Sequence, residues 1–357
     1  MSAQPASVLP SPVLPAGFLD ALTPDLAATD ILTTSDAIAP YLVETRRLHR
    51  GTADVVLRPR STAAVSAIMR AANRFRVPVV PLGGNTGLVG GGVPFGGALL
   101  SLEKLDQVRA VDAANATLTV EAGAVLQAVQ MAADSAGFLF PLSLGSEGSC
   151  TIGGNIATNA GGTAVLRYGN MRDLVLGIEA VLPDGAVFDG LRGLRKDNAG
   201  YDLKHLFIGS EGTLGIVTAA VLKLFPKPLQ RLTAFVGAAG PAQIIDLFRA
   251  LRAKAGERLT AFEIMPRFGL EIVLRHGANT RDPLANPHAS YALVELTSPD
   301  EEAPLDALLT GVLEQALESG IIEDAALAAS EAQSDAFWRL RELLAECQKF
   351  EGGSIKH

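Results

Sequence analysis

Glycine is unevenly spread along this chain. It crowds into three stretches, 83–97, 145–162 and 209–215. In the first, Pro81-Leu82-Gly83-Gly84-Asn85-Thr86-Gly87-Leu88-Val89-Gly90-Gly91-Gly92, six of the twelve residues are glycine. Such a run is costly in chain entropy. It is useful where backbone must come close to a bulky anion and turn several N–H groups toward it. Pyrophosphate meets that description. The second stretch, Gly145–Gly162, carries small residues, hydroxyls and amides, with Glu147 its only charge. The third, Gly209-Ser210-Glu211-Gly212-Thr213-Leu214-Gly215, runs into Ile216-Val217. One extended ligand read largely by backbone accounts for three such loops better than three unrelated turns.

The better-known phosphate loops fit poorly. A Walker loop needs Gly-Lys-Ser/Thr, and no Lys lies between Arg76 and Lys104. A Rossmann fingerprint opens a helix, for which Val93-Pro94-Phe95-Gly96 is unsuited. The sequence therefore argues against an NTPase and against a nicotinamide site here.

Periodicity places the loops. Val55–Leu57 reads as a strand, and Ser61 as the N-cap of a helix with Val65, Ile68, Met69 and Ala72 on its apolar face. A strand over 77–81 then enters the first glycine loop, making a β-α-β unit. Short strands are predicted at 98–102, 108–112 and 117–121, a helix over 124–136, and a hairpin through Pro183-Asp184-Gly185. A long strand is predicted over 216–225. Beyond 230 glycine thins. Strands at 232–237, 259–264, 291–297 and near 321 alternate with helices at 241–254, 266–275 and 304–318, and a last helix covers 331–350. This is an α+β layer with its helices on one face of a sheet. Residues 1–40 read as a short helix and a loosely attached arm.

A chain of 357 residues with 48% hydrophobic and 19% charged residues is expected to form more than one core. A net charge of −8 and the lack of a basic run argue against nucleic acid, and no apolar stretch approaches 18 residues. Cys150 and Cys347 suggest neither a disulfide framework nor a thiolate metal cage. The first 30 residues contain no Lys or Arg, so a targeting segment is not expected and cytoplasm is the default.

Four ordered segments, Pro81–Gly92, Pro141–Gly162, Arg195–Lys204 and Gly209–Val217, together resemble the vanillyl-alcohol-oxidase (PCMH-type) FAD domain. They are most similar to its D-2-hydroxyglutarate, D-lactate and glycolate dehydrogenase branch. The resemblance implies an α+β fold: a two-subdomain FAD-binding domain, then an α+β cap (substrate) domain of the FAD-linked oxidase C-terminal type, with an antiparallel sheet. The expected division is an arm at 1–47, the FAD domain at 48–227, the cap at 228–330, and a closing helix and incoming strand at 331–357. It implies that Gly83, Gly84, Asn85, Thr86 and Gly87 hold the FAD pyrophosphate through backbone amides, flanked by Pro81 and Leu88. Pro141, Gly145, Ser146, Gly148, Ser149, Ile152, Gly153, Gly154, Asn155, Thr158 and Gly161 would line the dinucleotide and flavin. Glu211, Gly212 and Gly215 complete this set, and Ile216 would meet the adenine side through its backbone.

Relatives that tether the flavin use a His in the first loop or a His or Cys in the second. Here neither loop holds a His, and Cys150 is offset from the tethering position, so it is read as a packing residue and FAD as non-covalent. In Trp338-Arg339-Leu340-Arg341-Glu342 and Ser354-Ile355-Lys356-His357, Arg341 and Lys356 fall where the branch binds the substrate carboxylate; Ala345 replaces a hydroxyl common in the family. The branch also implies a divalent metal such as zinc. His49, His205, His276 and His288 lack ligand spacing, so the metal ligands and the catalytic base are expected in a C-terminal part absent from this chain.

The expected activity is FAD-dependent oxidation of a D-2-hydroxy acid to the 2-oxo acid. The alternatives are a flavin reductase of the cell-wall-precursor type and an inactive FAD-binding fragment or subunit. The expected partners are the 2-hydroxy acid and an unidentified electron acceptor; a homodimer is an open option.

Overall fold

The computed structural model describes residues 14–352. Its first unit is a mixed sheet of β1 (Ile31–Leu32), β2 (Val55–Leu57), β3 (Val79–Leu82) and β4 (Ala98–Ser101), in the order β1-β2-β4-β3. α1 (Ser35–Ile38) lies in the connection after β1, and α2 (Thr62–Phe75) crosses between β2 and β3. Ser61 caps α2, its Oγ accepting the Ala64 N–H at 3.2 Å, and Val65, Ile68 and Ala72 are buried beneath it. The β-α-β unit expected from the sequence is present with one change. β4 inserts between β2 and β3, parallel to both. From residue 14 the arm is not loose either (residues 1–13 lie outside the described residues): Phe18 and Leu22 are fully buried in the same core as α2, and Phe18 meets Phe75 edge-on at 6.0 Å.

The second unit is an antiparallel five-stranded sheet in the order β5-β6-β10-β8-β9. It comprises β5 (Val108–Asp112), β6 (Thr117–Glu121), β8 (Val175–Val181), β9 (Val187–Gly190) and β10 (Ile216–Lys223), with the short β7 (Phe138–Leu139) pairing separately with β11 (Phe225–Pro226). Helix α3 (Leu126–Ser135) and the single turns α4 (Ile152–Ala157), α5 (Val165–Tyr168), α6 (Met171–Leu174) and α7 (Lys204–Phe207) cover and connect it. β8 and β9 form the expected hairpin, with Gly185 at φ +84° in its turn.

The third unit is a four-stranded antiparallel sheet, β13-β14-β12-β15, made of β12 (Gln230–Ala238), β13 (Leu259–Pro266), β14 (Ser290–Ser298) and β15 (Asp324–Leu327). The strand expected near 321 thus lies three residues on; Ile322 instead packs against the core beside the preceding helix. The helices are α8 (Pro241–Ala255), α9 (Arg267–His276), α10 (Leu305–Glu318), α11 (Glu331–Glu342) and α12 (Leu344–Cys347). They occupy both faces of the sheet, not one. Ala234 and Val236 point into a core with α8 and α10, while Phe235 points into a second core with α9 and α11. The expected last helix breaks at Leu343, and the bend keeps Leu343, Leu344 and Cys347 against the α9 cluster. α5 packs against β13, and Arg167 Nη1 donates to the Thr297 carbonyl at 2.8 Å, joining the second unit to the cap sheet.

Phe235 is fully buried between Tyr291 and Phe337, at ring distances of 5.5 and 5.8 Å. Phe235→Ala should therefore lower stability by about 3–5 kcal/mol, read as a fall in denaturant midpoint at unchanged slope; a shift near zero would show that the α9–α11 side is not a packed core.

Candidate functional site

The three glycine loops converge. The first leaves the C-terminal end of β3, the second wraps α4, and the third enters β10. Their approach is closer than any side chain permits. A Cβ on Gly84 would sit 2.0 Å from the Ser149 carbonyl oxygen, and one on Gly212 would sit 2.5 Å from the Pro81 ring. Backbone bonds tie the third loop to the second: Gly209 N–H donates to the Ile156 carbonyl at 3.0 Å, and Glu211 N–H to that of Ala157 at 2.9 Å. Thr151 caps α4 through its Oγ1. Asn85 takes the left-handed conformation at φ +53°.

Between the loops lies a cavity of about 1110 Å³, its open mouth included. Among the predicted residues, Pro81, Gly83, Gly84, Asn85, Thr86 and Gly87 line it from the first loop. Gly153, Gly154, Asn155 and Thr158 line it from α4 and its end, and Glu211, Gly212, Gly215 and Ile216 from the third loop. Eight predicted residues lie elsewhere. Gly145, Ser146, Gly148 and Ser149 form a hydrogen-bonded turn behind the first loop, with Ser149 N–H and Cys150 N–H both donating to the Ser146 carbonyl. Their part is to present a carbonyl against Gly84. Ile152 is buried in the core, as is Pro141. Leu88 points to solvent, and Gly161 lies beyond the cavity toward α5.

Glu44, Cys150, Thr151 and Phe207 line the cavity and were not foreseen as site residues. Cys150 is buried as expected, yet its place is the cavity wall, where Asn155 Nδ2 approaches its sulfur at 3.6 Å. Glu44 is the least legible of the four. Its carboxylate accepts the backbone N–H groups of Arg46, Leu48 (2.6 Å) and His49 (3.1 Å), closing residues 44–49 into a tight turn. That turn clasps the first loop. Thr45 Oγ1 donates to the Asn85 carbonyl at 2.6 Å, Asn85 Nδ2 to that of Val43 at 2.9 Å, and Arg46 Nη1 to that of Leu88 at 3.2 Å.

Among the described residues no Lys or Arg lines the cavity, so an anion there would be met by backbone amides. A Cβ at Gly87 would touch nothing within 4 Å, so that position opens onto free space. A dinucleotide with a pyrophosphate fits such a cradle. A metal fits less well: among the described residues no group of three His, Cys, Asp or Glu side chains is placed to hold one.

Arg341 stands apart from this cavity, on α11 against the cap sheet. Its Nε donates to Glu263 on β13 at 2.7 Å. One turn earlier, Trp338 Nε1 donates to Glu295 at 2.7 Å, and Arg231 pairs with the same carboxylate at 2.9 Å. Glu263 and Glu295, which anchor α11, carried no sequence signal. Lys356 lies outside the described residues.

A two-subdomain unit with a glycine-lined cavity, followed by a helix-covered antiparallel cap, is the architecture of an FAD-binding protein with a cap domain. The comparisons agree. A model described as "FAD binding domain" matches residues 53–190, and one described as "FAD linked oxidases, C-terminal domain" matches 227–355. The chain thus carries matches to both domains of FAD-linked oxidases, in the same order. It is 42% identical over 342 residues to the mitochondrial D-2-hydroxyglutarate dehydrogenase of Bos taurus, covering 93% of this chain and 62% of that one. The Arabidopsis thaliana enzyme of the same name is 39% identical over 87% of this chain and 55% of its own. The chain thus spans about three fifths of the curated relatives' length. Among solved structures, alkyldihydroxyacetonephosphate synthase superposes with a TM-score of 0.76 at 19% identity, over 96% of this chain and 65% of that one, a likeness of fold.

The cytoplasmic placement expected from the sequence is corrected here, because both of these dehydrogenases are named mitochondrial. The expectation rested on a missing leader pattern, and a missing signal carries no address. Two unpaired cysteines suit any reducing compartment.

Two substitutions separate scaffold from cradle. Gly84→Ala forces a backbone clash with Ser149 and should lower both stability and flavin content. Gly87→Val should leave the melting temperature of flavin-free protein unchanged and abolish flavin uptake, measured by absorbance after reconstitution; full uptake would remove the first loop from the cofactor site. Burial would raise the Glu44 pKa, but its three N–H donors outweigh that and hold it below the ordinary 4.5. The clasp is therefore fully stabilising above that value and lost as pH falls through the lower folded one. Glu44→Gln should weaken flavin retention at neutral pH by about 1.5–3 kcal/mol and flatten its loss in acid, followed by flavin fluorescence.

Proposed function

We propose that this protein is an FAD-dependent dehydrogenase that oxidises a D-2-hydroxy acid, of the 2-hydroxyglutarate, lactate or glycolate type, to the 2-oxo acid. The observation that carries this reading is the pairing of a backbone-lined cavity, free of cations among the described residues, with a cap helix anchored on two carboxylates, Glu295 through Trp338 and Glu263 through Arg341. The names of the curated relatives support it.

The first loop holds the cofactor by main-chain N–H groups and α4 backs the same cavity, without a covalent tether. Bound FAD supplies a two-electron acceptor for the hydride on the substrate Cα. Arg341 anchors the substrate carboxylate; its planar fork suits bidentate pairing, and Glu263 keeps the guanidinium extended across the sheet. Lys356 adds a point charge in the same role. The packing of α5 on β13 brings the end of the second glycine loop and the cap together.

Acid precipitation should release the flavin into a yellow supernatant; a yellow pellet would show a covalent flavin. Anaerobic mixing with D-2-hydroxyglutarate, D-lactate and glycolate should bleach the oxidised-flavin band with at least one of them, and no bleaching with any would overturn the activity. Arg341→Ala should lower kcat/KM by about 1.5–3 kcal/mol at unchanged flavin content, with partial recovery in Arg341→Lys. Normal kinetics in Arg341→Ala would remove it from the substrate site.

A further inference from the structure

A second concavity, of about 560 Å³ with its mouth, opens at the far end of β10. Ile216 at the start of that strand lines the cofactor cavity and Lys223 at its end lines this one, so the two are separated by the strand's length, roughly 23 Å at 3.3 Å per residue. No residue lines both.

The pocket gathers Arg172, Arg195, Lys204 and Lys223 with Asp173, Asp197 and Asp202. The count is nearly balanced, but the pairing is not. Asp202 is taken by Lys204 and by His205 at 3.3 Å. Asp173 accepts the Asn170 N–H at 3.1 Å in the cap of α6, and Asp197 faces Arg192 at 3.9 Å. The other three cations have no carboxylate within 4 Å among the described residues. Arg172 donates to the carbonyls of His205 (2.8 Å) and Ile208 (2.5 Å), Arg195 to those of Asn115 (3.2 Å) and Ala116 (3.3 Å), and Lys223 to that of Asp173. A guanidinium has five N–H donors, so these carbonyls fix Arg172 and Arg195 without exhausting them.

Burial first, and then Arg195 and Lys204, push the Lys223 ammonium below its usual range, against the opposing pull of Asp173. Burial likewise lowers the His205 imidazole, so it adds no charge at neutral pH. Arg172, Arg195 and Lys223, each held by main-chain carbonyls, together with Lys204 outnumber Asp173, Asp197 and Asp202 by one charge in this concavity, a local positive field on a chain of net charge −8. Water can solvate such a group, but a doubly charged oxyanion would relieve the mutual repulsion as well.

We infer that this pocket is an oxyanion-binding site, separate from the cofactor cavity, for a small molecule carrying two negative charges on oxygen. A phosphate group and a short dicarboxylate share that chemistry. The inference is independent of the proposed dehydrogenase activity.

The test is calorimetric titration of the flavin-loaded protein at constant ionic strength, with inorganic phosphate in one arm, glutarate in another and sodium chloride as the control. Saturable binding of one equivalent is expected in at least one of the first two arms, and the tighter arm identifies the source. Arg195→Gln and Lys223→Met should each weaken it at least ~10-fold, the loss expected for one charge-assisted contact. Flavin content should not change. Arg195 is exposed, so Arg195→Gln keeps the test sharp if Lys223→Met does not fold. Absence of saturable binding in both arms, equal binding by Arg195→Gln, or release of flavin by the added anion would each overturn the assignment.

Discussion

The contact on which the rest of this structure depends is made by main chain alone. Gly84 lies against the Ser149 carbonyl so closely that a methyl group would sit 2.0 Å from the oxygen. That contact sets the distance between the first unit and the second, and so the width of the cavity between them. The same economy recurs behind α4, where Gly153 N–H donates to the Ala122 carbonyl at 2.7 Å and a Cβ would fall 2.7 Å from the Ala122 methyl. Ala122 in turn is bonded to Thr218 on β10. Loop, helix and sheet are therefore stacked at backbone separation, and the third loop follows because it enters β10.

A cavity built this way has close-packed backbone walls and, among the described residues, no Lys or Arg in them. It selects a long ligand by shape and by N–H direction, and it leaves electrostatics to be handled elsewhere. The Glu44 turn is one such place. A buried carboxylate with three N–H donors fixes residues 43–46, and those fix Asn85 and Leu88 from outside the loop. The cap handles charge differently. Its sheet is buried on both faces, which frees the polar end of the α11 face to hold Arg231, Glu263, Glu295 and Arg341 in ion pairs.

Local signals in the sequence placed most elements correctly. The Ser61 cap, the Gly185 turn and the spans of α8, α9 and α10 each depend on residues within a turn or two of one another. The misreadings have one kind of cause. Helices were expected on one side of the cap sheet because an antiparallel strand is usually half wet, whereas Ala234, Phe235 and Val236 are all buried. The arm looked loose because Phe18 and Leu22 have no local partner; their partner is α2. Gly145, Ser146, Gly148 and Ser149 lie outside the cavity lining, in a turn behind the first loop whose placement depends on contacts between distant segments.

The sequence by itself determined that three glycine-rich loops would punctuate the first part of the chain and that a strand-and-helix layer would follow. Glycine density and hydrophobic period are properties of short segments, and they survive without knowledge of the fold. Only the tertiary structure decided which glycines face the cavity and which face another loop, that Glu44 guards the first loop from 40 residues upstream, and that Arg341 rests on Glu263. Each of these is a contact between segments far apart in the chain, and its energy depends on a distance that no local pattern encodes.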